Sequence, residues 1–207
     1  MKRLLILGAG GHGAVVAEAA AQSGLWEEIS FLDDDTSIDS VLDYPVAGPI
    51  DQVFTLADQD SEVIVAIGNN RQRLSLCSEI LAKGLELATV IHPNACISPS
   101  AAISSGSVVF AGAVVNARAK LGRACILNTS ATVDHDCIIE DGAHISPGAN
   151  LAGNVTIGEC TWVGLGSVIK EGVQIGSDAI TGAGSAVIAD VGNGETVVGV
   201  PARRLNR

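Results

Sequence analysis

From Ile91 to Val187 an aliphatic residue returns every six positions. Of these seventeen positions sixteen hold Ile, Val or Leu, and only Thr181 departs. Two residues before each stands Ala, Ser, Thr, Cys or Val, without a break from Thr89 to Ser185. A period of six matches neither the 3.6 of a helix nor the two of a strand. It fits a chain that turns a corner every six residues, with three sides to a coil. The aliphatic residue then points into a prism, and the small one sits beside a corner. Successive coils stack as parallel strands about 4.8 Å apart. Each coil buries its aliphatic layer against its neighbours alone. Cys125 and Cys137 fall in the small slots and read as core filler.

Composition agrees with a narrow core. The 207 residues include three Phe, two Trp and one Tyr against 24 Gly. The net charge of −11 argues against nonspecific nucleic-acid binding, which needs an excess of Lys and Arg. No apolar run approaches the roughly 20 residues of a membrane span. The run after Met1-Lys2-Arg3 stops at Gly8, short of the roughly 7 residues a signal peptide requires. Five cysteines without a CxxC pair argue against a disulfide framework or zinc site and for a reducing cytoplasm.

Residues 1–88 read as a separate α/β unit, with the repeats and a tail filling 89–207. Arg3 to Leu7 and Ile29 to Leu32 are predicted strands, as is Val63 to Ile67. Ala14 to Ser23 and Arg71 to Lys83 are predicted helices, each followed by glycine, at Gly24 and Gly84. Strands alternating with helices imply a small parallel sheet.

Gly8, Gly10 and Gly13 satisfy GxGxxG between the first strand and helix, with acids following at Asp33 to Asp35. Bare backbone N–H groups at a helix N-terminus suit a pyrophosphate. Three readings stand: an NAD(P) site, a purely structural turn, and a nucleotide-diphosphate substrate site. Fewer than 90 residues precede the repeats, too few for a two-halved dinucleotide domain, so NAD(P) is not expected.

Four histidines remain. His92 precedes Pro93 where the repeats open and reads as a junction residue. His12 lies in the glycine turn. His135 and His144 fall outside the inward and small slots, so both point outward. Asp134 and Asp136 flank His135, and Asn128 lies seven residues earlier. A carboxylate beside an imidazole fixes its tautomer and stabilises the imidazolium, as a general base requires. Zinc would need three converging histidines, and His92 lies more than two coils from His135. No metal is expected. His135 and His144 are half a coil apart and cannot share one prism face, so a complete site points to a second subunit. Gly153, eighteen residues after His135, stacks over it and leaves room for a reacting carbon. The Gly153 N–H, or that of Asn154, is then placed to meet an oxyanion.

The repeats, with the tail Gly199-Val200-Pro201-Ala202-Arg203, resemble the hexapeptide-repeat acyltransferases, whose fold is a left-handed parallel β-helix. GAGGHG at 8–13, FLDDD at 31–35, AIGNN at 66–70, ILNTSATVDHDC at 126–137 and AGNVTIG at 152–158 extend the likeness over nearly the whole chain. They resemble the bacterial nucleotide-sugar N-acyltransferases, closest to the UDP-4-amino-sugar N-acetyltransferases of the bacillosamine pathway. That resemblance implies a cytoplasmic homotrimer that moves acetyl from acetyl-CoA to the 4-amino group of a UDP-linked amino-dideoxy sugar. Gly11, His12 and Gly13 would sit by the diphosphate and Asp33 and Asp34 by the base. Gly68, Asn69 and Asn70 would close the pocket, and Asn128 would also bind substrate. His135 would be the base. Asp136 would orient it, although the family often has Glu there, which keeps Asp134 in contention. His144 would position the thioester. Gly153, Gly164 and Gly166 would let acetyl-CoA approach in a groove between prisms. Three alternatives remain open. One is a GDP- or dTDP-linked substrate, another is O-acetylation of the sialic-acid type, and the third is a nucleotide-binding scaffold with an inert β-helix.

Overall fold

The structure, a computed structural model, describes Lys2 to Leu205. Met1 and the final Asn206 and Arg207, assigned above to the two units, lie outside the described residues. The chain divides into two compact units between Pro93 and Asn94. That is a few residues beyond the boundary expected from sequence, because the short strand Val90–Ile91 packs against the first helix.

The first unit runs β1 (Arg3–Leu7), α1 (Gly11–Ser23), β2 (Glu28–Leu32), a small hairpin of β3 (Ser40–Val41) and β4 (Tyr44–Pro45), α2 (Val53–Leu56), β5 (Ser61–Val65), α3 (Asn70–Ala82) and β6 (Glu86–Leu87). The order β2-β1-β5-β6, all parallel, places β1 at the centre. Leu4 to Leu7 are fully buried, as a central parallel strand covered on both faces must be. α1 begins at Gly11, earlier than the predicted Ala14, because Gly10 caps it in an extended conformation. It ends where expected, at Gly24 with φ 68°. β5 stops two residues before the predicted Ile67. Ala66 still bonds back to Leu7 O at 2.7 Å, and the chain then leaves toward Gly68.

The second unit is a three-sided parallel β-helix of two-residue strands. Register steps by eighteen on every side: Ile126 pairs His144, Thr132 pairs Asn150, and Ile138 pairs Thr156. One side carries six strands, from Cys96–Ile97 to Ala186–Val187, so five complete coils separate the first from the last. From Val109 to Val187 every sixth residue is buried. Thr181 fits this layer because its hydroxyl accepts from Gly164 N at 3.0 Å and donates to Ser167 at 3.2 Å.

Some of the small slots do more than fit. Ser107 and Ser167 each donate to the carbonyl fifteen residues on, at Gly122 and Gly182 (both 2.9 Å). The thiols of Cys125 and Cys137 do the same toward Glu140 and Ala152 at 3.2 and 3.1 Å. At these four slots a short donor supplies the corner carbonyl with a partner. Burial also pushes the Cys137 thiol up, so it stays protonated. At the far end Thr196–Val198 and Arg203–Arg204 form an antiparallel pair that closes the last coil.

Candidate active site

The glycine turn separates glycines the fold needs from glycines it does not. A side chain at Gly13 would strike the Gly8 carbonyl, and one at Gly8, where φ is 111°, would come within 2.8 Å of Ala66 O. Gly10, Gly11 and Gly68 have nothing within 4 Å of such a carbon. Their bareness answers no packing demand and leaves open backbone at the N-terminus of a thirteen-residue helix.

Several residues expected to touch substrate carry structural work. The Asp33 carboxylate accepts from Ala9 N at 2.6 Å and Asp35 N at 2.9 Å, fixing the turn. Asp34 accepts from Ile50 N at 3.0 Å and lines a cavity of about 390 Å³ with Phe54, Leu76 and Glu79. Asn69 is the N-cap of α3, accepting from Gln72 N at 3.0 Å. Asn70 accepts from Arg73 at 2.9 Å. Arg73, which sequence reasoning missed, is fully buried and also donates to Ile67 O at 3.0 Å, so it holds the AIGNN loop from beneath. Burial, and secondarily the Arg73 charge, push His12 down from 6.5 to about 4. Near neutral pH His12 is an uncharged donor or acceptor in the turn.

His135 sits at a corner of the β-helix with its side chain 56% exposed. Its Nδ1 bonds Asp136 Oδ2 at 2.8 Å. A carboxylate there fixes the proton on Nδ1 and leaves Nε2 as the basic atom. Asp134 instead accepts from the His135 backbone N at 2.7 Å and from Asn116 at 2.9 Å. The ring contact therefore belongs to Asp136. Arg118, also missed, donates Nε to Asp136 Oδ1 at 2.6 Å and Nη2 to Oδ2 at 2.8 Å. Its guanidinium first, and His135 second, hold the Asp136 carboxyl far below the usual range. Ser100, Arg118, Lys120, Asp136 and Ile138 line a groove of about 340 Å³.

Gly153 does stack over His135, but its missing side chain is used differently from expectation. A β-carbon there would come within 2.6 Å of His135 Nε2, so the ring itself fills the space. Asn154 N is taken by His135 O at 2.9 Å, so of the two N–H groups expected to serve an oxyanion only that of Gly153 stays available. Similar corner N–H groups at Thr129 and Glu159 are closed by the side chains of Asn128 and Glu140.

His144 lies on another side of the prism, in strand His144–Ile145. Asn128 belongs with it, sixteen residues back on the same side, and not with His135. Asn128 Oδ1 accepts from Thr129 N at 2.8 Å, so its amide nitrogen faces His144 Nε2 at 3.1 Å. A donor there makes Nε2 the acceptor and puts the proton on Nδ1. Trp162 stacks parallel to the ring at 5.7 Å, and its Nε1 donates to Ser146 at 2.7 Å. Of the glycines assigned to the cofactor, Gly164 is explained by coil stacking, since a β-carbon would strike Thr181 O. Gly166, with φ 62°, faces open space. Among the described residues no cluster of three or more His, Cys, Asp or Glu is placed to hold a metal ion. His92 is buried, in keeping with a junction role.

A family profile described as the PglD N-terminal domain matches residues 3–80. The acetyltransferase domain of PglB from Neisseria gonorrhoeae FA1090 is 45% identical over 99% of this chain and 100% of its own, with a TM-score of 0.96. That domain has also been solved with acetyl coenzyme A. PerB from Caulobacter crescentus, solved with CoA and GDP-perosamine, is 37% identical over 100% of this chain and 98% of its own, with a TM-score of 0.94. WeeI from Acinetobacter baumannii AYE is 30% identical over 99% and 100%, with a TM-score of 0.91. With a parallel α/β unit, an eighteen-residue coil and matches of this extent, the chain belongs to the nucleotide-sugar N-acyltransferase family and is an acyltransferase.

Proposed function

We propose that this protein transfers acetyl from acetyl-CoA to the 4-amino group of a UDP-linked amino-dideoxy sugar, with His135 as general base. The observation that carries the reading is the His135–Asp136 pair, with Nδ1 bonded at 2.8 Å and Nε2 beside Gly153. The amine nitrogen attacks the thioester carbon, and Nε2 takes the amine proton. Gly153 N meets the oxyanion. As the C–S bond breaks, the imidazolium returns its proton to the CoA thiolate. His144, held by Asn128 and Trp162 with its proton on Nδ1, donates toward acetyl-CoA beside Gly166. The bare backbone at Gly10, Gly11 and Gly68 takes the diphosphate with neutral His12, and Asp34 addresses the base.

The site is completed in a homotrimer. Trp162, Leu165, Val168, Ile180 and Ile188 are apolar and outward on the upper coils, as a subunit interface requires. Use of acetyl-CoA and a nucleotide sugar supports the reading of a cytoplasmic enzyme. A GDP-linked substrate is the second reading, favoured by the GDP-perosamine bound to PerB.

Mass spectrometry of products from acetyl-CoA with UDP-, GDP- and dTDP-linked 4-amino sugars tests both readings. Acetyl on nitrogen of the UDP sugar is expected. Preference for the GDP sugar selects the second reading, and acetyl on oxygen or no product rejects both.

A further inference from the structure

Arg118, Asp136 and Asn154 occupy the same corner in three successive coils, with φ of 61°, 60° and 60°. This left-handed conformation strains a residue with a β-carbon. Sister corners use glycine at Gly106, Gly112, Gly142 and Gly148 and other residues at Ala124, Ser130, Cys160 and Asp178, so the conformation alone does not single out Arg118 and Asp136. What distinguishes Arg118 and Asp136 is that they pair across the coils, and stability does not account for the pair, because their side chains are 65% and 37% exposed and such pairs contribute little. The geometry does. The guanidinium fork meets both Asp136 oxygens, at 2.6 and 2.8 Å, and Oδ2 is shared with His135 Nδ1. An exposed aspartate without the fork would rotate freely and let the ring turn away.

We propose that Arg118 is a positioning residue for the transfer: its fork fixes Asp136 in the rotamer that bonds His135, and its charge limits how strongly that carboxylate draws a proton onto the imidazole. This rests on His135 being the base. The other groups around the ring do not duplicate the role. Asp134 is turned to backbone and Asn116. The coil above presents Gly153 and Asn154, both uncharged, and Glu171 stands two coils away by register. Lys120 lines the same groove as Asp136, but the bonds to the carboxylate come from Arg118 and His135.

The test uses Arg118→Gln and Arg118→Lys in the full chain, with His135→Ala beside them. It reads kcat and KM across pH, thermal midpoint, and the nitrogen-15 ring titration of His135. Arg118→Gln is expected to lower kcat about tenfold through misplacement of the base, with the KM for acetyl-CoA and the thermal midpoint unchanged. With Asp136 no longer shared with a cation, the acid limb and the His135 ring titration are both expected to move to higher pH. Arg118→Lys restores the titration but not kcat, because an ammonium brings charge without a fork. Wild-type kcat and titration in Arg118→Gln would overturn the proposal, and full recovery of both by Lys would remove the fork from it. If His135→Ala stays active, the base reading fails, while the ring titration still decides whether Arg118 controls Asp136 and His135.

Discussion

The glycine turn and the His135 corner use residues in opposite ways. In the turn the residues that suggest ligand binding also hold the fold. Asp33 ties β2 to the turn, Asn69 caps α3, and Gly8 and Gly13 are demanded by backbone contacts. At the corner the repeat needs only its inward aliphatic and small residues. His135, Asp136 and Arg118 all project outward, bonded to one another. A β-helix can thus exchange its outward chemistry with little effect on folding, whereas the turn cannot. Substitutions at the corner should report on chemistry alone. Those in the turn should mix binding with stability, except at the glycines that touch nothing.

The largest effect expected is at the corner. His135→Ala should lower kcat by about 10²–10⁴, the usual contribution of a positioned general base, without changing the thermal midpoint or the KM for acetyl-CoA. Gly153→Ala should cost activity by another route, since its β-carbon and the His135 ring claim one space. A normal kcat in Gly153→Ala, or a large drop in midpoint for His135→Ala, would break the contrast. His144→Ala should instead raise the KM for acetyl-CoA, with a smaller fall in kcat.

The turn should show its effects in stability. Replacing Arg73 with Met strands the Ile67 carbonyl, and equilibrium unfolding should show a loss of about 1–3 kcal/mol. His12 gives the turn a pH signature. Its value falls from 6.5 unfolded to about 4 folded, so between these pH values the unfolded chain binds more protons and stability falls as pH falls. The contribution is complete above about pH 6.5. About 3 kcal/mol is lost by pH 4, and His12→Gln should remove that slope from denaturant titrations.

The same contrast governs what was legible. The coil period fixed register, the inward layer and the place of Gly153 over His135, because each six-residue step repeats one local geometry. Arg118 was within reach of that period, eighteen residues before Asp136, but the flanking acids drew attention to neighbours in sequence. The place of Asn128 beside His144 was hidden for a related reason. Its seven-residue separation from His135 means nothing on a prism, whereas sixteen residues to His144 means the same side. The first unit was legible as strands and helices but not as a site. No local pattern shows that Arg73 is buried beneath the Gly68 loop, or that Asp33 is bound to Ala9. Those facts arise only when β1, β2 and β5 pair.

The smallest expected change in stability is the sharpest test of the turn. Gly11 and Gly13 belong to one motif and one helix, yet a β-carbon meets nothing at the first and the Gly8 carbonyl at the second. Gly13→Ala should therefore destabilise the fold, and any loss of activity would be ambiguous. Gly11→Ala places alanine in the first turn of α1, where it restricts the unfolded chain and favours helix, a gain of up to about 1 kcal/mol. If open backbone at Gly11 serves the diphosphate, the added methyl group should raise the KM for the sugar nucleotide while leaving that for acetyl-CoA alone. A variant more stable yet poorer only in nucleotide-sugar use cannot be explained by damage to the fold. Equal changes in both KM values would show that Gly11 is bare for some other reason, and the turn would lose its assignment as the diphosphate site.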